Sequence, residues 1–174
     1  MTAITSPSLD LKSTIMLLVL AAVWGGSFFF AEVALSEIPP LTITLHRVFW
    51  AVPVLAVIVR LKGIPIPRSK RIWGAYLVMG ALNNAIPFSL IFWGQTQIDS
   101  GLASILNGTT AMFAAVVAGV LLKDEPLTTR KIAGAALGIA GVAIIMGPSA
   151  LSDFNPSNLA QLAILCATLS YAFA

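Results

Sequence analysis

Charge is what this sequence has least of. Of its 174 residues, 10% are Asp, Glu, Lys or Arg and 58% are hydrophobic. A soluble domain carries about 25% charge, because a water-facing surface needs it. The deficit excludes a soluble globule of this length. Cysteine is nearly missing too, and the single Cys166 excludes an internal disulfide or a multi-cysteine metal site. The sequence contains no HExxH, GxSxG, P-loop or GxGxxG pattern, and its acidic residues sit almost entirely between the apolar runs. An enzyme is therefore not expected, nor is a cofactor or a metal.

The few charges are spaced informatively. Between Lys12 and Glu32 lie 19 uncharged residues, between Arg71 and Asp99 27, between Asp99 and Lys123 23, and between Lys131 and Asp153 21. A helix needs roughly 20 apolar residues to cross about 30 Å of hydrocarbon. Repeated runs of that length predict an all-α integral membrane protein, with the lipid bilayer as its solvent. The first run is too long for the apolar part of a signal peptide and is followed by more of its kind.

Five complete transmembrane helices are expected, over about residues 13–35, 40–59, 72–94, 100–122 and 127–146. A sixth opens near residue 159 and is still apolar, and incomplete, at Ala174. Residues 1–12 read as a tail, 13–146 as one five-helix unit, 147–158 as a loop closed off by Gly147-Pro148, and 159–174 as the start of a further unit. The chain looks cut rather than finished. Nine of the ten basic residues fall in the tail, the 2–3 loop or the 4–5 loop, whereas the other three loops carry only Glu37, Asp99 and Asp153. By the positive-inside rule the basic side, with the amino terminus, is cytoplasmic. The net charge of +3 is thus a topology signal and not a mark of nucleic-acid binding.

The tenth basic residue, Arg47, lies about seven positions inside helix 2. A charge at that depth usually faces the bundle interior with a partner. Glu32, at a similar level of helix 1, is a candidate partner, in either a substrate or proton site or a structural ion pair, unless it merely reaches the water interface. His46 reads as a hydrogen-bonded packing residue more readily than as a proton relay. In helix 3, Asn83-Asn84 precede Pro87, which cannot donate to the Asn83 carbonyl. Unsatisfied backbone at that depth is tolerated only under protein or in a watery cavity, so the pair reads as cavity wall or as interhelical glue. Asn107, Thr109 and Thr110 in helix 4, with Gln95 and Gln97 at the outer end of helix 3, are weaker candidates of the same kind. Trp24, beside Gly25-Gly26, is a packing residue or a ligand platform. Gly134, Gly138 and Gly141 give helix 5 a small-residue face suited to tight helix packing, within the chain or in a homodimer.

Several of these segments together resemble the EamA-type permeases of the drug/metabolite transporter superfamily. They are Trp24-Gly25-Gly26-Ser27-Phe28, Arg47-Val48-Phe49-Trp50-Ala51, the junction from Leu121 to Thr128, and the glycine-spaced run from Gly134 to Val142. The resemblance implies half of an inverted-repeat ten-helix transporter, with the second repeat of the same chain as the missing partner. It implies a secondary transporter of the bacterial inner membrane, exporting small metabolites or amino-acid-like compounds. Arg47, Asn83, Asn84, Asn107, Trp24 and Glu32 are then the substrate-binding candidates, with helices 1, 3 and 4 lining a cavity. Two departures stand out. Glu32 replaces a frequent lysine, against an anionic substrate, and Ala111 replaces a frequent proline, against a break in helix 4. A scaffold or sensor associating through helix 5 is the alternative.

Overall fold

The computed structural model describes residues 10–122, 127–146, 155 and 158–174. Most of the expected tail, the core of the 4–5 junction and nearly all of the 5–6 loop, Asp153 included, lie outside the described residues. Among those described, all regular structure is helical. In chain order the helices are α1 (Leu11–Leu35), α2 (Pro40–Leu61), α3 (Lys70–Gln95), α4 (Ser100–Leu121), α5 (Thr129–Met146) and α6 (Leu159–Ala172). The first four are long and apolar enough to cross a membrane.

Local chemistry sets the helix ends. Asp10 caps α1 by accepting from the Ser13 N–H at 3.0 Å, and the Asn158 side chain caps α6 through Ala160 N–H. Each cap satisfies a donor that the first turn leaves free. Pro40 occupies the first turn of α2, where its missing N–H is no loss. At the other end of α2, Gly63 takes φ 62° and Ile64 N–H reaches back to Val59 O, a glycine-terminated stop open to few other residues.

Three of the long helices are interrupted. The α-helical pattern of α2 breaks at Trp50, three residues before Pro53, whose ring leaves the Phe49 carbonyl without its helical donor. α3 widens into a π turn over Ala81–Ala85. α4 breaks at Thr109, contrary to the expectation drawn from Ala111. No proline is needed there. The Thr109 and Thr110 hydroxyls donate to the carbonyls of Leu106 and Asn107, three residues back, in competition with the backbone.

Packing is uneven along the helices. The Asp99 end of the bundle is held by a core of Ala31 from α1, Phe88, Ile91 and Phe92 from α3, Leu102, Ala103 and Leu106 from α4, and Ile164 and Ala167 from α6. α6 lies along the Ile86–Gln95 half of α3 and along both halves of α4, while Pro40–Phe49 of α2 packs on Ile86–Gln95 and α5 packs on α4. At Gly94, an added Cβ would stand 2.8 Å from Ile164 Cγ1 and 3.0 Å from the Ala160 carbonyl. Helix α3 and α6 approach as closely as they do because that position has no side chain. In contrast, Ala51–Leu61 and Lys70–Gly80 meet no other helix among the described residues. At most 17% of any of the four long spans is buried within the molecule. The remaining apolar surface therefore belongs to lipid or to further protein.

The glycine face of α5 is not used within the described structure. A Cβ added at Gly134, Gly138 or Gly141 would meet nothing within 4 Å. The close contact near α5 lies instead between α4 and the connection leading into α5, where a Cβ added at Gly119 would stand 2.7 Å from Leu127 Cβ.

Candidate functional site

Five helices converge on one small, partly open cavity of about 20 Å³. α1 contributes Trp24, Ser27 and Phe28, α2 contributes Arg47, α3 contributes Phe88, Ile91 and Phe92, α4 contributes Asn107, and α6 contributes Tyr171. Arg47 organises it. Its guanidinium carbon lies 4.4 Å from the centre of the Phe88 ring and 5.8 Å from that of Phe92, and its Nη1 donates to the Ser27 hydroxyl. A cation over an aromatic face is attracted by the ring quadrupole, by about 0.5–1 kcal/mol at a site as exposed as Arg47. Phe88 is further fixed by Tyr171, edge to face at 6.5 Å.

Arg47 and Glu32 do not form the ion pair that sequence allowed. The Arg47 side chain turns to Ser27 and the phenylalanines, while Glu32 is exposed and lines a different pocket near Asp99. The cation is thus held by aromatic and hydroxyl groups, with no acidic partner among the described residues. On the far wall, Asn107 Oδ1 is buried with no hydrogen-bond partner. A guanidinium and an unpaired amide oxygen facing one cavity can take an acidic group and a donor group respectively.

Trp24, Arg47 and Asn107 are thereby brought together. Asn83 and Asn84 are not. They sit on the π turn of α3, Asn83 exposed and Asn84 partly buried, outside the lining of this cavity. The free carbonyl that sequence placed at Asn83 is at Leu82 instead. In the π turn, Ile86 N–H donates to Ala81 O, five residues back, and Pro87 has no N–H to offer Leu82. The Ser170 hydroxyl of α6 fills that acceptor at 2.8 Å. His46 behaves as expected of a packing residue, its Nδ1 accepting from Trp50 Nε1 at 3.1 Å.

A second pocket, of about 400 Å³, opens at the Asp99 end between Glu32, Gln95, Thr96, Gln97, Asp99, Leu102 and Asn158. Gln95 stands between the two spaces. Its Nε2 donates at 3.3 Å to the carbonyl of Phe28, whose side chain lines the central cavity.

The model of the EamA-like transporter family matches residues 11–147. The chain belongs to that family. Among its relatives, protein PagO of Salmonella typhimurium is 30% identical over 147 residues, covering 83% of this chain and 46% of that protein. A "probable terminal-alkyne amino-acid exporter" of Streptantibioticus cattleyicolor is 28% identical over 167 residues, 95% of this chain and 56% of the exporter. A "probable amino-acid metabolite efflux pump" of Escherichia coli is 29% identical over 163 residues, 93% of this chain and 50% of the pump. No solved structure matches the chain. The chain spans about half the length of the curated relatives it matches. Family membership and the apolar helices make it a multi-pass membrane protein.

Three aromatic members of the candidate site escaped sequence reasoning. Phe88 and Phe92 are spaced i, i+4 on the Arg47-facing side of α3, a signal that was present but reads equally as core. Tyr171 lay in a helix taken for a fragment, so its phenol was not weighed.

Proposed function

We propose that the chain is the binding half of a secondary transporter that exports small metabolites or amino-acid-like compounds across the inner membrane. The observation that carries this reading is the central cavity, lined both by an intramembrane Arg47 and by Asn107, whose buried oxygen, like the guanidinium, has no oppositely matched partner among the described residues. A cation at that depth is expensive to retain and marks a substrate path by default. The names of the relatives, an amino-acid exporter and an amino-acid metabolite efflux pump, support the substrate class. Glu32 then serves the mouth of the path and not its centre, while Asn83 and Asn84 lie where a second unit would meet α3. The site, on this reading, is carried by binding groups, and no catalytic chemistry is asked of it.

The uncovered halves at the basic end favour a second repeat of opposite orientation packing there, residues 13–146 being the first repeat and 159–174 the opening of the second. In this arrangement α5 is a fifth span and α6 a sixth that the chain does not complete. The basic end is cytoplasmic. After Cys166 is removed, a cysteine at Gln97 should react with an impermeant thiol reagent in intact cells, and one at Ser69 should not. The reverse pattern inverts the topology.

The test of function is flux. Full-length protein in liposomes should release a preloaded member of an amino-acid panel, and Arg47→Met should not. Self-association without flux for any compound would instead favour the scaffold reading, for which the uncovered Gly134, Gly138 and Gly141 face is the supporting observation.

A further inference from the structure

The pocket at the Asp99 end holds acceptors that nothing in the described structure uses. Asp99 occupies the N-cap position of α4 with extended backbone, yet its side chain makes no capping hydrogen bond. Asp10 and Asn158, in the same position on α1 and α6, both make theirs. An N-cap is worth about 1 kcal/mol, so a carboxylate that forgoes it leaves its oxygens for another donor. Glu32 lies exposed on the same pocket wall, with no ion pair or hydrogen bond among the described residues. Beneath them, Gln95 is only 7% exposed, and its Oε1 is buried with no partner. An orphaned acceptor at that burial is costly unless a ligand completes it.

The balance of charge points one way. Among the described residues the pocket lining contains two carboxylates and no lysine or arginine. A cleft lined by one sign of charge concentrates the opposite sign. No group of three His, Cys, Asp or Glu residues able to hold a metal ion occurs among the described residues, and about 400 Å³ is far more room than a bare ion needs. The pocket floor, Leu102 and Ile98, is apolar. The occupant therefore combines a cationic head with an organic body.

We propose that this pocket is a receptor for an organic ammonium head group, the N–H donors of which are shared among Glu32, Asp99 and Gln95 Oε1. An alkylammonium offers up to three donors and no acceptor, the complement of what the pocket presents. It is a second subsite, separate from the Arg47 cavity, and Gln95 links the two by holding the Phe28 carbonyl. The role in a transport path rests on the proposed function; the binding does not.

The probe is phenethylamine, titrated calorimetrically against purified full-length protein in nanodiscs, with phenethyl alcohol as its neutral counterpart. Saturable binding of the amine and none of the alcohol is expected. Glu32→Gln and Asp99→Asn together should weaken it at least about tenfold, or roughly 1.4 kcal/mol. Both residues lie at the surface, so the variants should elute as the parent does. Gln95→Glu, which keeps the acceptor and adds charge, should bind at least as tightly as the parent, whereas Gln95→Met should bind more weakly. Equal binding of the alcohol, or an unchanged double variant, would sink the proposal. Displacement of the amine by sodium chloride but not by choline chloride would assign the site to an alkali ion and overturn the organic ligand. Flux in liposomes without amine binding leaves the transport reading standing and removes this site. Amine binding without flux does the opposite.

Discussion

The two halves of α3 are both apolar, yet Ile86–Gln95 is packed against four helices and Lys70–Gly80 against none. In water such a difference would follow from hydropathy. In a bilayer it cannot, because lipid tails are as apolar as leucine and burying one apolar side chain against another gains little. What separates the halves is shape and pairing. The packed half has Gly94 admitting Ile164, stacked Phe88 and Phe92, and polar links from Gln95 to Phe28. The other half has Gly74 and Gly80 facing open space and a tryptophan, Trp73, donating to Pro67 O in its own connection. Association between membrane helices is bought by close fit and hydrogen bonds, and those are concentrated at one end.

Exchanging arginine on α2 should sharpen this contrast most. Arg47→Met is expected to lower flux at least about tenfold, the equivalent of roughly 1.4 kcal/mol, while leaving the protein folded. Arg60→Gln, at the open end of the same helix, should leave flux unchanged. Equal losses would mean that the central cavity has no special part in transport. A second contrast concerns glycine. Gly94→Val should destabilise by about 1–3 kcal/mol through overpacking against Ile164 and the Ala160 carbonyl, read as a lower thermal midpoint in detergent. Gly74→Val should shift nothing when measured in the same way, and a large shift there would show that the open half is covered.

A smaller effect is expected at the π turn. Ser170→Ala strands the Leu82 carbonyl, and interhelical hydrogen bonds in membranes average about 0.6 kcal/mol, with a maximum near 1.7. Pro87→Ala restores a backbone donor, so the double variant should lose less than Ser170→Ala alone. A double-mutant cycle with no coupling would dissociate Ser170 from the proline. The smallest effect is expected at Asp10. Hydrogen bonding from Ser13, side chain first and backbone N–H second, holds the Asp10 carboxyl below its ordinary value. A depressed carboxyl stabilises its cap above the unfolded-state value and loses that contribution as pH falls through the folded-state value. Amide exchange in the first turn of α1 should therefore quicken on acidification, and Asp10→Ala should abolish the pH dependence.

Helix boundaries were legible to within two residues because charge and proline mark them in a membrane chain almost without competition. The central cavity was half legible. Arg47 and Asn107 announce themselves as polar groups in apolar runs, and Trp24 as a large ring beside glycines. Phe88, Phe92 and Tyr171 did not, since an aromatic in an apolar run carries no sign of what lies across from it. Asn83 drew attention as the residue four before a proline. The π register moved the free acceptor to Leu82, and nothing in the composition of Ala81–Ala85 distinguishes the two registers. Pairing of Glu32 with Arg47 failed for a related reason. Charge complementarity was visible from sequence, but the aromatic alternative for the guanidinium was not.

The Ser170 hydroxyl and the Leu82 carbonyl are 88 positions apart, and that separation has a consequence for biogenesis. Chains emerge from the ribosome at about 5–20 residues per second, so Leu82 enters the membrane roughly 4–18 s before its donor exists. During that interval the mid-depth acceptor needs cover from water, from the insertion machinery or from a chaperone, because hydrocarbon offers none. Helix α3 can be threaded into the bilayer early, but its π turn is finished late, when α6 arrives. The order of synthesis thus makes α6 the closing piece of the first five helices, and a ribosome pause before residue 159 would hold the protein in a state that proteases and chaperones can tell from the finished one.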